Sequence, residues 1–363
     1  MSLGSDTRCM ALALSLGRRG QGATWPNPAV GCVIVKNNRI IGRGWTQPSG
    51  RPHAETVALA QAGAEAAGAD VFVTLEPCAH HGKTPPCSQA LIDAGVARVV
   101  IAISDSDPRV DGLGAQMLRA AGITVETGLL GDEAFNDHDG FLRRTVTGRP
   151  MVTLKIASSF DGRIATGTGE SQWITSQDAR QDVQKLRAQS SVILTGIGTV
   201  LTDDPSLSVR PGDWYPQGEL VRQPLRVVID SNLRIPLNAK ILNSEAETLV
   251  VSIKPSDKKG VNVMVIQADR GHVDLKKLMN RLAEREINDV MVEAGSKLNG
   301  ALVQAGLVDE LVIYMAPKLL GDSAQGLFHL PALQKMSQNI ALNITDIRAV
   351  GSDWRITASP IYG

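Results

Sequence analysis

The sequence predicts an α/β protein built from two domains. Its 363 residues are enough for two hydrophobic cores, because a domain usually holds about 100–200 residues. Strand-like apolar runs alternate with helical patterns through both halves of the chain, which is typical of a sheet with helices on both faces. The segment 147–150, Thr-Gly-Arg-Pro, interrupts this alternation. We therefore predict one domain over 1–147 and a second over 148–363.

The first domain is expected to begin with an amphipathic helix over 6–19, with Asp6 as its N-cap. A strand over 30–35, a turn at Asn37 and Asn38, and a returning strand over 39–45 form a predicted hairpin. The other expected elements are a helix from His53 to about 67, a strand over 71–75, a helix over 87–94 stopped by Gly95, a strand over 98–103, a helix near 113–121 and a strand near 123–127.

The second domain shows the same alternation of strands and helices, and its Pro- and Gly-containing segment 211–224 is expected to be a surface loop. Strands are predicted over 151–156, 192–194, 226–229, 248–252, 263–266, 289–292 and 310–316, and helices near 176–189, 274–285 and 297–305.

The first domain carries the parts of a catalytic zinc site. His53-Ala54-Glu55 is followed by Glu-Pro-Cys-Ala-His-His-Gly-Lys-Thr-Pro-Pro-Cys, which places Cys78 and Cys87 within 76–87. One imidazole and two thiolates leave the fourth tetrahedral position of zinc open to water. Glu55, two residues after the histidine, can move the proton of that water without binding the metal. This combination is typical of zinc deaminases that act on nucleobase-like rings.

The loop between the two cysteines is unusually long for this kind of site. Eight residues separate Cys78 from Cys87, so we expect a loop that leaves the metal and returns, carrying His80, His81, Lys83 and Thr84 past it. The helix that begins at Cys87 should favour its thiolate. The alternative is that His53 packs in a core and that Cys78 and Cys87 are ordinary buried thiols. It requires a coincidence, because the chain has only four cysteines and six histidines.

The overall composition argues for a small-molecule enzyme. Lys plus Arg and Asp plus Glu both number 37, so the chain lacks the basic excess that nucleic-acid binding favours. We find no apolar run long enough to span a bilayer and no signal-peptide pattern at the N-terminus. Few cysteines, in a metal-type arrangement, suit a reducing compartment. We therefore expect a cytoplasmic protein with neither nucleic-acid nor membrane partners.

The second domain contains a candidate phosphate-binding turn. In the segment 290–301, a strand ends, Gly295 and Ser296 turn the chain, and a helix begins. Backbone N–H groups at such a turn suit a phosphate, although an ordinary strand-to-helix loop would have the same sequence. Arg187 and Arg210 are further candidates to bind phosphate, or they are solvated surface residues.

Taken together, these segments make the chain resemble the bifunctional pyrimidine deaminase/reductase family of riboflavin biosynthesis over nearly its full length. The segments that carry the resemblance are 26–35, 53–55, 74–87, 154–165, 169–176, 186–210, 227–231 and 290–321. The resemblance implies a cytidine-deaminase-like three-layer domain followed by a dihydrofolate-reductase-like domain. It also implies one zinc ion in the first domain and NADPH in the second.

The resemblance implies two consecutive reactions on phosphoribosylaminopyrimidines. The first is hydrolytic deamination of 2,5-diamino-6-(5-phosphoribosylamino)pyrimidin-4(3H)-one. The second is reduction of the ribosyl group of the resulting 5-amino-6-(5-phosphoribosylamino)uracil to ribityl. We also expect a homo-oligomer, either a dimer or a tetramer.

The family's site residues map onto this sequence as follows. Zinc falls on His53, Cys78 and Cys87, with Glu55 as the proton shuttle. Cofactor contacts map to Ala157, Trp173, Thr199, Asp203, Ser231, Gly295, Ser296, Lys297, Leu298, Asn299, Gly300 and Ala301. Substrate contacts map to Ser171, Arg187, Leu207, Arg210 and Glu293. One position departs from the pattern, because Thr46 stands where the family often has a histidine.

Asp203 and Lys155 are the candidates for proton delivery during hydride transfer. Both are ionisable and lie in matched segments. The alternative for Lys155 is a strand-end lysine that reaches solvent, and for Asp203 a turn residue that caps the backbone.

Two other readings of the whole chain remain. A tRNA or nucleoside deaminase would leave the second domain unexplained. A structural zinc would need a fourth protein ligand, for which His80 or His81 is the obvious candidate.

Overall fold

The computed structural model describes residues 3–79, 85–106, 111–215, 221–256 and 258–362. The chain divides into two compact units, Met1–Arg149 and Pro150–Gly363. The division falls two residues after the boundary placed at 147/148 from the sequence. Among the described helices, none combines the length and the apolar character that crossing a membrane requires.

The first unit is a sheet covered by helices on both faces. Its helices are α1 (Leu3–Gly17), α2 (Ala54–Ala62), α3 (Cys87–Asp93), α4 (Leu113–Ala120) and α5 (Gly131–Thr147). Its strands are β1 (Gly31–Lys36), β2 (Arg39–Trp45), β3 (Asp70–Val73), β4 (Arg98–Ile101) and β5 (Thr124–Thr127). In the described residues they form a five-stranded sheet in the order β2-β1-β3-β4-β5. β1 runs antiparallel to both of its neighbours, whereas β3, β4 and β5 are parallel.

Alternation along the strands produces two cores, one on each face of this sheet. In β3, Val71 and Val73 pack on the side of α2, α3 and α4, whereas Phe72 packs on the side of α1. Successive strand side chains point to opposite faces, which explains this division. The expected three-layer arrangement is therefore confirmed.

Close packing of α2 on β2 positions the start of α2 and its site residues. A Cβ at Gly44 would lie 2.1 Å from the Ala54 carbonyl oxygen, and one at Gly42 would lie 2.3 Å from that of Ala58. Only glycine allows the helix to approach the strand this closely.

The structure corrects two expectations for the first unit and adds one helix. α1 begins at Leu3, so Asp6 lies inside its first turn, and its carboxylate accepts a hydrogen bond from Arg98 (2.7 Å) instead of capping. α2 ends at Ala62 and continues as a 3-10 turn over Gly63–Ala66. α5 was not predicted, because its sequence is largely polar and buries few side chains.

The second unit is built on a long, mostly parallel sheet. Its strands are β6 (Met151–Ser159), β7 (Arg163–Ala165), β8 (Val192–Gly196), β9 (Leu225–Ile229), β10 (Thr248–Ser252), β11 (Asn262–Val265), β12 (Ala268–Asp269), β13 (His272–Val273), β14 (Asp289–Val292), β15 (Glu310–Ala316), β16 (Gln325–Gly326), β17 (Ala341–Val350) and β18 (Asp353–Ile361). Its helices are α6 (Gln177–Gln189), α7 (Ile197–Asp203), α8 (Leu275–Glu284) and α9 (Ser296–Gln304).

The main sheet has the order β11-β10-β9-β8-β14-β6-β15-β18-β17 within the described residues. β6 to β15 pair in parallel wherever they are neighbours in it, and β18 and β17 add an antiparallel edge. The carboxyl ends of the parallel strands therefore meet at one edge, where α/β proteins usually bind ligands.

The sequence missed α7 and the hairpin of β17 and β18. α7 has only seven residues and contains a glycine, so it shows no helical period. In β17, Asn343, Asp346 and Arg348 interrupt the apolar residues, and the pattern no longer resembles a core strand.

Candidate active sites

The three predicted zinc ligands meet at the end of the first unit's sheet. His53 immediately precedes α2, Cys87 is the first residue of α3, and Cys78 follows β3. The Nδ1 atom of His53 lies 3.3 Å from the Cys87 sulfur and 3.8 Å from the Cys78 sulfur. A tetrahedral zinc ion with bonds of about 2.0–2.3 Å holds its ligand atoms roughly 3.5 Å apart. The donor atoms and their spacing therefore fit one zinc ion.

Neighbouring helices hold Cys78 in this position. The Ser88 backbone N–H and hydroxyl both donate to the Cys78 carbonyl oxygen, at 3.2 and 3.0 Å. A Cβ at Gly114 would lie 2.0 Å from the Pro77 carbonyl oxygen, so α4 packs directly against the residue before the ligand.

Glu76, two residues before Cys78, ties the end of β3 to the start of α4. Its carboxylate is almost fully buried and accepts backbone N–H donors from Asp105 (3.3 Å), Gly112 (3.1 Å) and Ala115 (3.0 Å). The sequence around Glu76 gives no signal for this role, because its three partners lie 29, 36 and 39 residues further along the chain.

The two cysteines differ in acidity. Hydrogen bonds from the Cys87 thiol and backbone N–H, together with His53, hold the pKa of Cys78 well below its usual range. The same contact with Cys78 raises the pKa of Cys87. The sequence predicted that the start of α3 would favour the thiolate of Cys87. The backbone N–H of Cys87, at the start of α3, donates to the sulfur of Cys78 instead. A bound divalent cation deprotonates coordinating thiols outright.

Glu55 is suited to proton transfer. Its carboxyl is 3% exposed, and burial raises its pKa to about 7, against the effect of nearby His53. It also hydrogen-bonds the Cys87 side chain, which places it beside the three ligands. A carboxyl whose pKa lies near neutrality can both accept and donate a proton at working pH, although a bound cation opposes the shift.

Two further features of this site were raised by the sequence: the loop between the two cysteines and the threonine at position 46. His80, His81, Lys83 and Thr84, including the candidate fourth ligands, lie outside the described residues. Thr46 is buried, and its hydroxyl accepts the Val30 backbone N–H (3.0 Å). Through this hydrogen bond, the side chain of Thr46 joins the segment before β1 to the segment after β2.

A second candidate site is a cavity of about 1690 Å³ in the second unit. It lies at the carboxyl ends of β6, β8, β9 and β14. Most of the predicted reductase residues line it: Lys155, Ala157, Ser171, Trp173, Arg187, Thr199, Asp203, Leu207, Arg210, Ser231, Glu293, Gly295, Ser296, Lys297 and Leu298.

Three predicted cofactor contacts do not line this cavity. α9 begins at Ser296, one residue before the helix predicted near 297–305, so Asn299, Gly300 and Ala301 lie inside this helix. Asn299 is buried and donates to the Leu327 carbonyl oxygen (3.1 Å), and a Cβ at Gly300 would lie 2.1 Å from the His329 carbonyl oxygen. Of this segment, only the residues from Gly295 to Leu298 reach the cavity.

Lys155, Arg187 and Glu293 form an ion triad in the cavity wall. Arg187 binds the Glu293 carboxylate through Nε (2.6 Å) and Nη2 (3.1 Å), and Lys155 Nζ lies 3.3 Å from its Oε2. Burial alone would raise the pKa of Glu293, but the charges of Arg187 and Lys155 lower it to about 2. Lys155 is therefore a paired lysine rather than one that reaches solvent.

Asp203 and the loop after it form another part of the wall. The hydroxyl of Ser171 donates to Asp203 Oδ1 (3.1 Å). Arg187 Nη1 donates to the Ser208 carbonyl oxygen (3.2 Å), and the fully buried Arg226 donates to that of Ser206 (3.1 Å). The only sequence signal for Arg226 was a single charge in an otherwise apolar strand.

Two family models match the sequence. Residues 3–103 match the cytidine and deoxycytidylate deaminase zinc-binding region. Residues 150–356 match the RibD C-terminal domain. These matches fall in the first and second units, respectively.

Relatives match nearly the whole chain. The riboflavin biosynthesis protein RibD of Escherichia coli is 50% identical over 358 residues, which cover 96% of this chain and 97% of the relative. The protein of the same name from Haemophilus influenzae is 48% identical over 363 residues, or 98% and 97% of the two chains.

Solved structures agree with these matches. Acinetobacter baumannii RibD superposes with a TM-score of 0.92 at 44% identity, covering 99% of this chain and 100% of that one. A diaminohydroxyphosphoribosylaminopyrimidine deaminase/5-amino-6-(5-phosphoribosylamino)uracil reductase from Thermotoga maritima gives 0.89 at 31% identity, covering 99% of both chains.

Proposed function

Since the chain belongs to the RibD family, the bifunctional deaminase/reductases of riboflavin biosynthesis, we propose that its two reactions take place at the two sites described above. Deamination belongs to the His53, Cys78 and Cys87 cluster of the zinc-binding unit. Reduction with NADPH belongs to the cavity of the second unit. The observation that carries this proposal is that the three zinc ligands and Glu55 meet in the first unit, whereas most of the predicted reductase residues line one cavity in the second.

We propose the substrates that the name of the Thermotoga relative specifies. The first unit would convert 2,5-diamino-6-(5-phosphoribosylamino)pyrimidin-4(3H)-one into the corresponding uracil, and the second would reduce the ribosyl group to ribityl. The balanced charge of the chain supports small molecules rather than nucleic acid as partners. The unpaired thiols suit the cytoplasm.

In deamination, the ring carbon exchanges its amino group for the oxygen of water and releases ammonia. Zinc, when bound, acidifies the attacking water. Glu55 takes the proton of that water and delivers it to the departing nitrogen, for which a pKa near neutrality is well suited. The almost complete burial of Glu55 keeps bulk solvent from competing for the proton.

In reduction, NADPH supplies the hydride, and the chain must orient the cofactor and deliver a proton. Asp203 and Lys155 are our candidates for proton delivery. Lys155 is fixed by Glu293, and Asp203 by Ser171. Ala157, Trp173, Thr199, Ser231 and the turn that starts α9 are our candidates for cofactor contacts, because all of them line the cavity.

The ion triad separates the roles of the two candidate phosphate arginines. The Nε, Nη1 and Nη2 atoms of Arg187 already bind Glu293 and Ser208. Arg210 lines the same cavity and is exposed; among the described residues its backbone N–H donates to Gln184 (2.9 Å), and its guanidinium forms no hydrogen bond or ion pair. We therefore assign the substrate phosphate to Arg210, whose planar guanidinium can bind two phosphate oxygens, and the orientation of Glu293 to Arg187.

The direct test supplies the diaminopyrimidinone to the purified chain with and without NADPH and identifies the products by mass. Without NADPH, the product should carry oxygen in place of one amino group. With NADPH, it should gain two hydrogens as well. Formation of neither product would contradict the proposal.

The second unit also offers a surface for the expected homo-oligomer. Register pairs Ile347 with Ile356 and Ala349 with Trp354, so these side chains share one face of the hairpin. On the other face, Arg355 binds Asp182 of α6 (3.0 Å). The first face remains open: Ile344 and Ile347 are each 55% exposed and Trp354 is 48% exposed.

We propose that a second copy of the chain covers this β17–β18 apolar face. Exposed apolar patches of this kind usually mark an interface. In the described part of the chain, β17 is the last strand of the sheet, and it carries Asp346 next to Arg348. Antiparallel pairing of two copies about Ile347 would set these opposite charges against each other. Sedimentation should give a multiple of 38.6 kDa for the chain and a lower mass for Ile347→Lys. Val146→Lys, in α5, is the control. A monomeric parent chain would contradict the proposal.

A further inference from the structure

Trp173 lies at the end of the cavity that holds both candidates for proton delivery. Its carbonyl oxygen accepts a hydrogen bond from Lys318 Nζ (2.8 Å), and Lys318 follows β15, which neighbours β6 in the sheet. Lys155 lies on β6. The segment of Trp173 is also tied to Asp203, because Ser171 donates to that carboxylate (3.1 Å). The indole of Trp173 therefore belongs to the reacting end of the cavity.

The indole ring is covered by a cation on one of its faces. The guanidinium carbon of Arg180, in α6, lies 4.7 Å from the ring centroid. Its Nη1 atom donates to the Thr175 carbonyl oxygen (2.7 Å), which fixes the guanidinium over the ring. Trp173 is nevertheless 64% exposed and lines the cavity. The face opposite Arg180 is therefore open to the flat ring of a ligand.

The charge of Arg180 is not neutralised by a carboxylate within the described ranges. Lys155 and Arg187 are paired with Glu293 in the same cavity. Other basic side chains of the cavity also lack such a partner, but in the described part of the chain Arg180 is the one that stacks on an aromatic ring. The negative face of an indole attracts a cation, so this charge is held at a set distance from any ring stacked on the other face.

The reduced and oxidised cofactors differ in charge at one ring. NADPH carries a neutral dihydronicotinamide, whereas loss of its hydride leaves the cationic nicotinamide of NADP⁺. Stacked carbon atoms lie about 3.5–4.0 Å apart, so charges on opposite faces of this indole would be about 8 Å apart. The Coulomb repulsion at that separation corresponds to about 2- to 30-fold in a binding constant, depending on the local dielectric. Only NADP⁺ is subject to it.

We propose that Arg180 is a positioning residue with an electrostatic function: it holds the Trp173 indole against the nicotinamide ring, and its charge weakens the binding of the oxidised cofactor. This proposal rests on the proposed function, because it requires NADPH in the cavity. The repulsion arises once the hydride has left the cofactor, so it favours dissociation of NADP⁺ and its replacement by NADPH. Arg180 acts through Trp173 and needs no contact with the substrate.

Binding measurements on the full-length chain test this proposal without catalysis. Calorimetry gives Kd for NADPH, for NADP⁺ and for 2′-phospho-ADP-ribose, which carries the cofactor's phosphates but no nicotinamide. Arg180→Gln should lower the ratio of Kd for NADP⁺ to Kd for NADPH by about 2- to 30-fold, with Kd for the fragment unchanged. Arg180→Lys keeps the charge and should retain most of the parent ratio. Lys185→Gln, an exposed position of α6 outside the cavity, is the matched control.

Several outcomes would overturn the proposal. Equal changes in Kd for NADPH and NADP⁺ would limit Arg180 to a structural role, and a change for the fragment would make it a contact of the cofactor phosphates. A ratio that falls as far in Arg180→Lys as in Arg180→Gln would exclude charge as the cause. Failure of the proposed function is distinct from all of these, because the parent chain would then bind neither cofactor.

Discussion

The surroundings of two buried glutamates give them opposite acid strengths. Burial raises the pKa of Glu55 to about 7. Glu293 is also buried, but the charges of Arg187 and Lys155 lower its pKa to about 2. A carboxyl that is desolvated with little compensation holds its proton, whereas one between two cations remains ionised. Glu55 is therefore fitted to transfer protons, and Glu293 to hold cationic side chains in place.

Replacing Glu55 tests its role in proton transfer. Glu55→Gln keeps the shape of the side chain but cannot take up a proton from water. We expect deamination to fall by about 10²–10⁴-fold, with zinc content unchanged. Reduction of separately prepared uracil intermediate should proceed normally. Near-parent deamination rates in this variant would remove Glu55 from the mechanism.

Replacing Asp203 tests proton delivery in the second site. Asp203→Asn retains an oxygen that can accept the Ser171 hydrogen bond but cannot donate a proton as an acid does. We expect the rate of hydride transfer to fall, with NADPH affinity changed only modestly. Single-turnover measurements, combined with cofactor titration, separate the two effects. Lost affinity at a normal rate would make Asp203 a binding residue and leave proton delivery to Lys155 or water.

Residues with chemical signatures were predictable, and residues that support them were not. His53, Cys78, Cys87 and Glu55 could be found because metal chemistry restricts both the residue types and their spacing. The role of Glu76 depends on three backbone N–H groups that only the fold brings together. No spacing rule in the sequence encodes such partners.

At the scale of elements, those whose burial imposes a sequence pattern were predictable, and those without such a pattern were not. The strands that lie in the two cores were predicted nearly to their ends, because burial on one or both faces imposes a pattern. β17 buries almost nothing in the chain itself, so its sequence lacks that pattern. α5 contributes Ala134, His138 and Leu142 to the interior, and a histidine among three contacts hides the helical period.

The link between β3 and α4 should affect zinc retention. Glu76→Gln replaces one acceptor oxygen with a donor that faces backbone N–H groups. An unsatisfied buried donor costs roughly 1–3 kcal/mol, so we expect a lower free energy of unfolding and faster transfer of zinc to a chromophoric chelator. Glu65→Gln is the control, because the Glu65 side chain forms an exposed ion pair with Arg39. Parent-like zinc transfer in Glu76→Gln would show that the link does not position Cys78.

The packing of α5 should make stability depend on pH. Burial lowers the pKa of His138 to about 4, and its Nε2 lies 3.1 Å from the Thr74 hydroxyl. The unfolded chain, in which the pKa of histidine is about 6.5, therefore binds the proton more readily. Stability should be fully present above pH 6.5 and fall as the pH drops toward 4, by up to roughly 3 kcal/mol.

Comparing the parent chain with His138→Gln between pH 7.5 and 4.5 isolates this effect. The variant should show a smaller loss of the unfolding midpoint, because it has no group to protonate at that position. The exposed His329 provides the control as His329→Gln. Identical pH profiles for the parent chain and His138→Gln would contradict the prediction.

At the scale of the whole molecule, the two proposed sites lie in separate units. The described His, Cys, Asp and Glu side chains form one cluster able to hold a metal, and it lies in the first unit. Hydride transfer requires an oriented cofactor rather than a metal. We therefore expect a chelator to abolish deamination while reduction of the uracil intermediate continues. A parallel loss of both activities, without unfolding, would contradict this division.

The buried Arg226 has a consequence for local unfolding. Its guanidinium joins the Ser206 carbonyl oxygen to Asn243 and Ala246, which precede β10. The cavity wall at Ser206 therefore cannot detach unless the guanidinium loses a buried acceptor or the segment before β10 moves with it. Both alternatives are costly, so the two segments should form a single cooperative unit whose amide hydrogens exchange together.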